Sequence, residues 1–293
     1  MTSRILKIGV IAALALTALA CNGDDGPTST PSQTERAPTP SPSNDTPTPR
    51  LRPAPAAKGW RTLAPMPTPR SEVAVAALDG RIYVIGGFEG DGSPSDAVEV
   101  YDPVTDSWTQ APPLPEPRHH AAATASFDGK LYVVGGYKTD FSDPQKTLFV
   151  LDPSTNAWIQ AAEMPTARGG HAASVFLGEI YAIGGADADG ENIPSVEVYD
   201  PATDTWRSGS ELGTPRDHLA AASTVECAGD LCAVGLYAIG GRRNVDFARN
   251  VDANEQYDPT SKAWAVRAPL PMARSGIAAA ALGGRIYVFG GSL

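Results

Sequence analysis

The sequence predicts an all-β fold built from a repeated unit of four short strands, and three recurring features carry that expectation. A Gly-Gly pair closes an apolar run five times, at Gly86-Gly87, Gly135-Gly136, Gly184-Gly185, Gly240-Gly241 and Gly290-Gly291, spaced 49, 49, 56 and 50 residues apart. A lone tryptophan recurs as Trp60, Trp108, Trp158, Trp206 and Trp264, and ten residues after each stands an arginine: Arg70, Arg118, Arg168, Arg216 and Arg274. A turn element, Tyr101-Asp102-Pro103, Leu151-Asp152-Pro153, Tyr199-Asp200-Pro201 and Tyr257-Asp258-Pro259, begins seven residues before each of the last four tryptophans. Offsets held through varied filler residues identify one structural unit copied along the chain.

Within the first unit, an Ala/Val-rich strand over Val73–Leu78 leads through Asp79-Gly80 into a second strand over Ile82–Ile85. Asp-Gly between apolar runs is a tight hairpin signal, because both positions tolerate positive φ. Gly86-Gly87 ends the second strand where side chains would not fit. A polar loop follows, and Val98-Glu99-Val100-Tyr101 alternates as a third strand. Asp102-Pro103 opens a turn, the aspartate accepting backbone N–H groups and the proline presetting φ. Trp108 begins the fourth strand, and a Pro-rich link reaches the next unit.

Composition narrows the function classes. The 293-residue chain has 23 Lys+Arg against 33 Asp+Glu, a formal net charge of −10. Without Arg4 and Lys7 the balance is 21 against 33, or −12. A chain this acidic is a poor match for nucleic acid or an anionic lipid surface. Three cysteines exclude a disulfide scaffold and a four-cysteine zinc site.

Residues 1–58 read as address and tether. Arg4 and Lys7 precede an apolar run of 13 residues, Ile8–Ala20, the size of a signal-peptide core. Its end, Thr17-Ala18-Leu19-Ala20-Cys21, followed by Asn22-Gly23-Asp24-Asp25, resembles a bacterial lipoprotein signal. That resemblance implies a signal peptide over 1–20, lipidation of Cys21, and export to the cell envelope on a periplasmic or extracellular face. Multiple acyl chains would anchor stably where one is marginal. From Cys21 to Lys58, nine prolines and ten Ser/Thr fall in 38 residues without periodicity, the composition of a disordered tether.

Four strands per repeat with Gly-Gly, Tyr-Asp-Pro, Trp and Pro-Arg resemble the kelch repeat over residues 59–293. The resemblance implies a β-propeller whose blades surround a central channel. It gives the glycines and tryptophans scaffold roles, the tryptophans packing between blades. About five blades are expected: four complete, and one irregular blade from both termini. There, Trp60–Met66 would be a fourth strand and 277–282 and 285–289 the first two. The ring then closes with five blades, or the chain is the front of a longer, six-bladed one.

A meander puts connections 2–3, and 4 to the next strand 1, on one face. The 2–3 loops over 88–97, 137–147, 186–195 and 242–254 differ between units. What varies on a repeated scaffold is free to recognise something, so this face is the expected binding face. Arg70, Arg118, Arg168, Arg216 and Arg274 lie on it, and guanidinium forks suit anions and carboxylates; alternatively each arginine ties down its own loop. Some kelch domains bind acidic peptides with arginines at this place. All four histidines, His119, His120, His171 and His218, follow these arginines, with Glu72 equivalent in the first unit. Histidines converging on an axis could bind a metal, yet kelch repeats often carry one here without chemistry. The residues 187–192, Asp-Ala-Asp-Gly-Glu-Asn, are similar to part of a calcium loop, but Val198 stands where its terminal Glu belongs. The expectation is therefore no metal, no cofactor and no catalytic residues.

The fourth unit carries an insertion of about eight residues with Cys227 and Cys232, which could close a disulfide across an elongated hairpin in an oxidising exterior. The expected function is an exported, lipid-anchored binding module for a protein, peptide or glycan, using Arg70, Arg118, Arg168, Arg216, Arg274, His120, His171 and His218. Membrane contact is expected only through lipidated Cys21, with no nucleic-acid partner. The alternatives are an enzyme at the channel mouth, of the carbohydrate-active or oxidase kind some kelch folds carry, and a structural envelope protein.

Overall fold

The computed structural model describes residues 59–292 apart from 229–230. The expected signal peptide, Cys21 and the tether lie outside the described residues. Four antiparallel four-stranded sheets follow one another in chain order. The first holds β1 (Ala74–Leu78), β2 (Arg81–Ile85), β3 (Val98–Asp102) and β4 (Ser107–Gln110); the second β5 (Ala122–Ala125), β6 (Leu131–Val134), β7 (Leu148–Asp152) and β8 (Ala157–Ala161). The third holds β9 (Ala172–Phe176), β10 (Glu179–Ile183), β11 (Val196–Asp200) and β12 (Thr205–Ser208); the fourth β13 (Ala220–Ala228), β14 (Leu231–Ile239), β15 (Asn254–Asp258) and β16 (Ala263–Val266). A final hairpin joins β17 (Ser275–Leu282) to β18 (Arg285–Ser292). Each first strand contacts the next sheet's first strand, so β1, β5, β9, β13 and β17 stand side by side around a channel. This is the expected β-propeller, with its four complete blades.

The core is divided among the interfaces between blades. Ile85, Val98 and Val100 of the first blade pack with Leu131, Val133 and Phe149 of the second. Tyr132, Val134 and Val150 meet Ile180, Ala182 and Tyr199 of the third, and Ile183 and Val198 meet Leu236 and Ala238 of the fourth. Trp158, Trp206 and Trp264 sit at these interfaces and Trp108 meets the segment before the first blade. Each indole N–H donates to the previous link: Trp108 to the Ala64 carbonyl at 2.9 Å, Trp158 to Pro112 at 2.9 Å, Trp206 to Ala162 at 2.7 Å and Trp264 to Ser210 at 2.8 Å. Trp60, expected to pack between blades, is instead 93% exposed, having no complete blade beside it. The Gly-Gly pair has a steric reason. Gly87 lies at φ 96°, and a Cβ there would stand 2.4 Å from the Ser71 carbonyl.

One expectation needs correction. The fifth unit is a two-stranded sheet, and residues 60–66 form no strand. Ala64 does occupy the place at which a fourth strand ends. Its N–H donates to Asp106 and its carbonyl accepts from Trp108, as Ala162 does with Asp204 and Trp206. A strand, however, is defined by its ladder, and no third strand of a fifth blade is present among the described residues to supply one. The two ends still meet: the Trp60 ring stands edge-on to Phe289 at 6.2 Å.

Candidate functional site at the channel mouth

Three residues following each Pro-rich link build one rim of the channel. In the first four units the arginine carbonyl or its neighbours tie into the adjoining blade: the second glycine N–H of each Gly-Gly pair donates to the next arginine's carbonyl, at 2.7 Å from Gly87 to Arg118 and 2.9 Å from Gly136 to Arg168. The residue after the arginine bridges the start of its own 2–3 loop, as Ser71 to Phe88, His119 to Tyr137, Gly169 to Ala186 and Asp217 to Arg242. The residue after that bonds its counterpart in the previous unit. His120 N–H donates to the Glu72 carbonyl at 3.1 Å, Gly170 to His120 at 3.0 Å, His218 to Gly170 at 2.7 Å and Gly276 to His218 at 2.9 Å. Glu72, His120, Gly170, His218 and Gly276 thus form a backbone collar at the entrance to a cavity of about 570 Å³ walled mainly by Ala and Val of the inner strands.

The arginines point elsewhere. The Arg168 guanidinium donates to the Gly184 and Ser195 carbonyls at 2.9 and 2.8 Å and pairs with Glu197 at 3.0 Å; its side chain is fully buried. Arg216 meets Glu255 at 2.6 Å and Arg70 meets Glu99 at 2.8 Å, both equally buried. Arg118 lies over the Phe149 ring, 5.4 Å from its centroid, and reaches Glu116 at 2.8 Å and Thr147 at 3.0 Å. Arg274 donates to the Gly290 carbonyl at 3.1 Å. None of the five lines the cavity. Binding an anion through Arg70, Arg168 or Arg216 would require breaking an ion pair already buried in the same blade. The geometry matches the alternative in which each arginine secures its own unit. The glutamate partners escaped the sequence reading. Their signal is the second position of strand 3, which is Glu99, Glu197 and Glu255 in three blades but Phe149 in the second, where Arg118 takes other partners.

His120, His171 and His218 line the cavity, as does Glu72. One potential ligand atom from each of Glu72, His120 and His218 falls within 4.8 Å of the others. His120 Nε2 stands 3.3 Å from Glu72 Oε2, and the His120 and His218 rings meet at 4.9 Å. His120 and His218 each have a backing partner: His120 Nδ1 is 2.8 Å from His119 Nδ1, and His218 Nδ1 is 2.7 Å from Asp217 Oδ2. Asp217 is itself held by Arg242 through contacts of 3.1 and 3.2 Å. Burial works to raise the Asp217 carboxyl, but the hydrogen bonds and charges of His218 and Arg242 hold it below the usual aspartate range. Burial, then the charges of His218, His119 and Arg242, push His120 down to about 3. His171, also pushed down to about 3 by burial and then by Arg168, finds no hydrogen-bond partner for either ring nitrogen among the described residues.

The collar is strained where it carries side chains. Glu72, His120 and His218 lie at φ 53°, 52° and 50°, and the equivalent glycines 170 and 276 at 62° and 63°. Glycine adopts this left-handed conformation freely, whereas other L-residues give up about 1 kcal/mol or more. Gly170 also makes room: a Cβ there would stand 3.1 Å from His218 Nδ1.

The 2–3 loops add an aromatic wall. Phe88 stacks on His119 at 4.0 Å, His119 on Tyr137 at 5.4 Å, and half-exposed Phe141 approaches Tyr137 at 5.3 Å and His120 at 5.2 Å. Asp187, in the segment similar to a calcium loop, spends its Oδ1 on the N–H groups of Asp189 and Glu191 at 3.1 and 2.9 Å, closing its own turn. Cys227 and Cys232 are direct cross-strand partners in the elongated β13–β14 hairpin.

Comparison with known proteins places this geometry in context. Residues 73–291 match the model of the KLHDC2/KLHL20/DRC7 Kelch-repeats domain. Kelch-like protein terF of Aspergillus terreus is 31% identical over 247 residues, covering 79% of this chain and 40% of its own length. Kelch-like protein 35 of Mus musculus is 34% identical over 232 residues, covering 79% of this chain and 29% of that one. Beta-scruin of Limulus polyphemus is 29% identical over 230 residues, covering 75% and 24%. The chain therefore spans less than half the length of these relatives. Among solved structures, YjhT superposes with a TM-score of 0.66 at 20% identity, covering 80% of this chain and 82% of YjhT, a likeness of fold.

Proposed function

Because the chain belongs to the kelch-repeat family, we propose that it is a binding module whose ligand, a protein, peptide or glycan, docks at the channel mouth. One observation carries this reading: the parts of the repeat that differ from blade to blade, the 2–3 loops and the collar, meet on a single face. There half-exposed Phe141, backed by partly buried Phe88 and buried Tyr137, offers aromatic surface of the kind that packs against sugar rings or apolar side chains. His171 adds buried ring nitrogens with no partner among the described residues, which a ligand in the channel could satisfy. The test is a glycan and peptide array probed with the full chain, beside Phe141→Ala and, on the opposite face, Val104→Ala. Phe141→Ala should abolish the specific signals and Val104→Ala should leave them. Equal loss in both, or neither, would place recognition elsewhere.

In the same proposal the module is exported and held at the membrane by lipidated Cys21. Cys21→Ser should move the protein to the soluble fraction; its retention in the membrane pellet would refute the anchor. The hairpin cysteines are proposed to form a disulfide, since directly paired antiparallel residues have Cα atoms about 4.5–5.5 Å apart, within bridging range. Alkylation of denatured, unreduced protein should leave Cys227 and Cys232 unmodified; two labelled thiols there would refute it.

A further inference from the structure

We propose that Glu72, His120 and His218 form a binding site for a divalent transition-metal ion at the channel mouth. Two imidazoles and one carboxylate are a donor set suited to zinc, iron and their neighbours rather than to calcium or magnesium. Three separate blades contribute one ligand each, so the set exists only in the assembled propeller.

Distances fit the assignment. A tetrahedral ion with bonds of about 2.0–2.2 Å places its ligand atoms roughly 3.3–3.5 Å apart. The His120–Glu72 edge is already 3.3 Å. The remaining atoms lie within 4.8 Å, so the set must tighten by about an ångström or somewhat more. Three ligands leave a coordination position open for water or another oxygen or nitrogen donor.

Two independent features support a site rather than a chance cluster. The first is orientation. Metal-bound histidines are usually steered through the second ring nitrogen by a carboxylate or similar group. Here His218 has that arrangement with Asp217, itself clamped by Arg242, while the second nitrogen of His120 is held by another imidazole, His119. The second is backbone strain. The collar position is left-handed in all five units, and glycine fills it in two. Glu72, His120 and His218 keep side chains in this conformation, which His tolerates and Glu adopts less readily, and Gly170 leaves room for the His218 imidazole. Side chains kept at strained positions, facing a cavity and facing each other, mark a role that glycine would not fill.

The same feature supplies the variants. His120→Gly and His218→Gly introduce the residue that the fold already uses at 170 and 276, and Glu72→Gln keeps the side-chain shape while removing the charge. The full chain, stripped with chelator, is titrated with Zn²⁺ by calorimetry and with Co²⁺ by visible absorption. The expected result is one equivalent bound at micromolar Kd or tighter, with a Co²⁺ d–d band. Each substitution should weaken binding by about 100-fold or more, beyond the 10–100-fold typical of second-sphere changes. Absence of saturable binding would overturn the proposal, and so would binding that survives all three substitutions. Run with chelator-treated protein, the array experiment reads Phe141→Ala without metal, so either proposal can fail without the other.

Discussion

Two rings of residues, two positions apart in the repeat, face opposite fates. The latch ring, Arg70, Arg118, Arg168 and Arg216, turns into the blades, and in three cases ends on a buried glutamate of strand 3. The collar, Glu72, His120, Gly170 and His218, turns to the channel and changes identity from blade to blade. Repetition therefore tracks direction: positions aimed into the scaffold are kept alike because every blade needs the same bond, while positions aimed at the channel differ. A residue type repeated at one offset is evidence of shared structural work first, even when it is the residue type most suited to binding an anion.

The largest expected effect contrasts the same substitution in the two rings. Glu197→Ala strands a buried guanidinium and should cost about 3–5 kcal/mol in urea unfolding. Glu72→Ala, on a partly exposed carboxylate, should cost under about 1 kcal/mol. Equal losses would erase the distinction between latch and collar.

A smaller effect comes from pH. His171 is held neutral in the fold at about 3, against about 6.5 when unfolded. The unfolded chain therefore binds the extra proton first, so this histidine's contribution is intact above pH 6.5 and is lost as pH falls toward 3. His171→Leu should flatten the fall in urea midpoint between pH 7 and pH 4; an unchanged slope would mean the side chain is solvated. The smallest effect is expected in the fifth unit. Arg274→Ala removes one exposed bond to Gly290 and should change stability by no more than about 1 kcal/mol. A loss comparable to that of Arg168→Ala would show a complete latch there and extend the ring to the two-stranded unit.

The propeller was legible because its signals are local. Gly-Gly, Asp-Pro and the tryptophan each act within a few residues of their own position, so fixed offsets expose them. The site was half legible. The histidines and Glu72 stood out beside the arginines, yet nothing in the sequence says that His120 faces the channel while His119 stacks between Phe88 and Tyr137. That choice follows from the left-handed φ of His120 and the bridge from His119 to Tyr137. The arginines looked available because their partners lie 29 residues away for Arg70 and Arg168, and 39 for Arg216, where the insertion lengthens the hairpin. Residues 60–66 looked like a strand because side-chain pattern describes a face, whereas a strand also needs a neighbour.

The left-handed collar restricts the vocabulary of the channel mouth. Each blade contributes one residue there, and the backbone conformation admits glycine freely, tolerates His, Asn and Asp, and resists β-branched or bulky apolar residues. Whatever lineage of substitutions passes through those positions, the backbone filters it toward blanks and small polar heads. A mouth built this way can be rewritten one blade at a time, from an inert rim to one bearing acids, amides or imidazoles, without disturbing the latches two residues upstream. Its chemical character is thus selected by a dihedral angle before any ligand has a say.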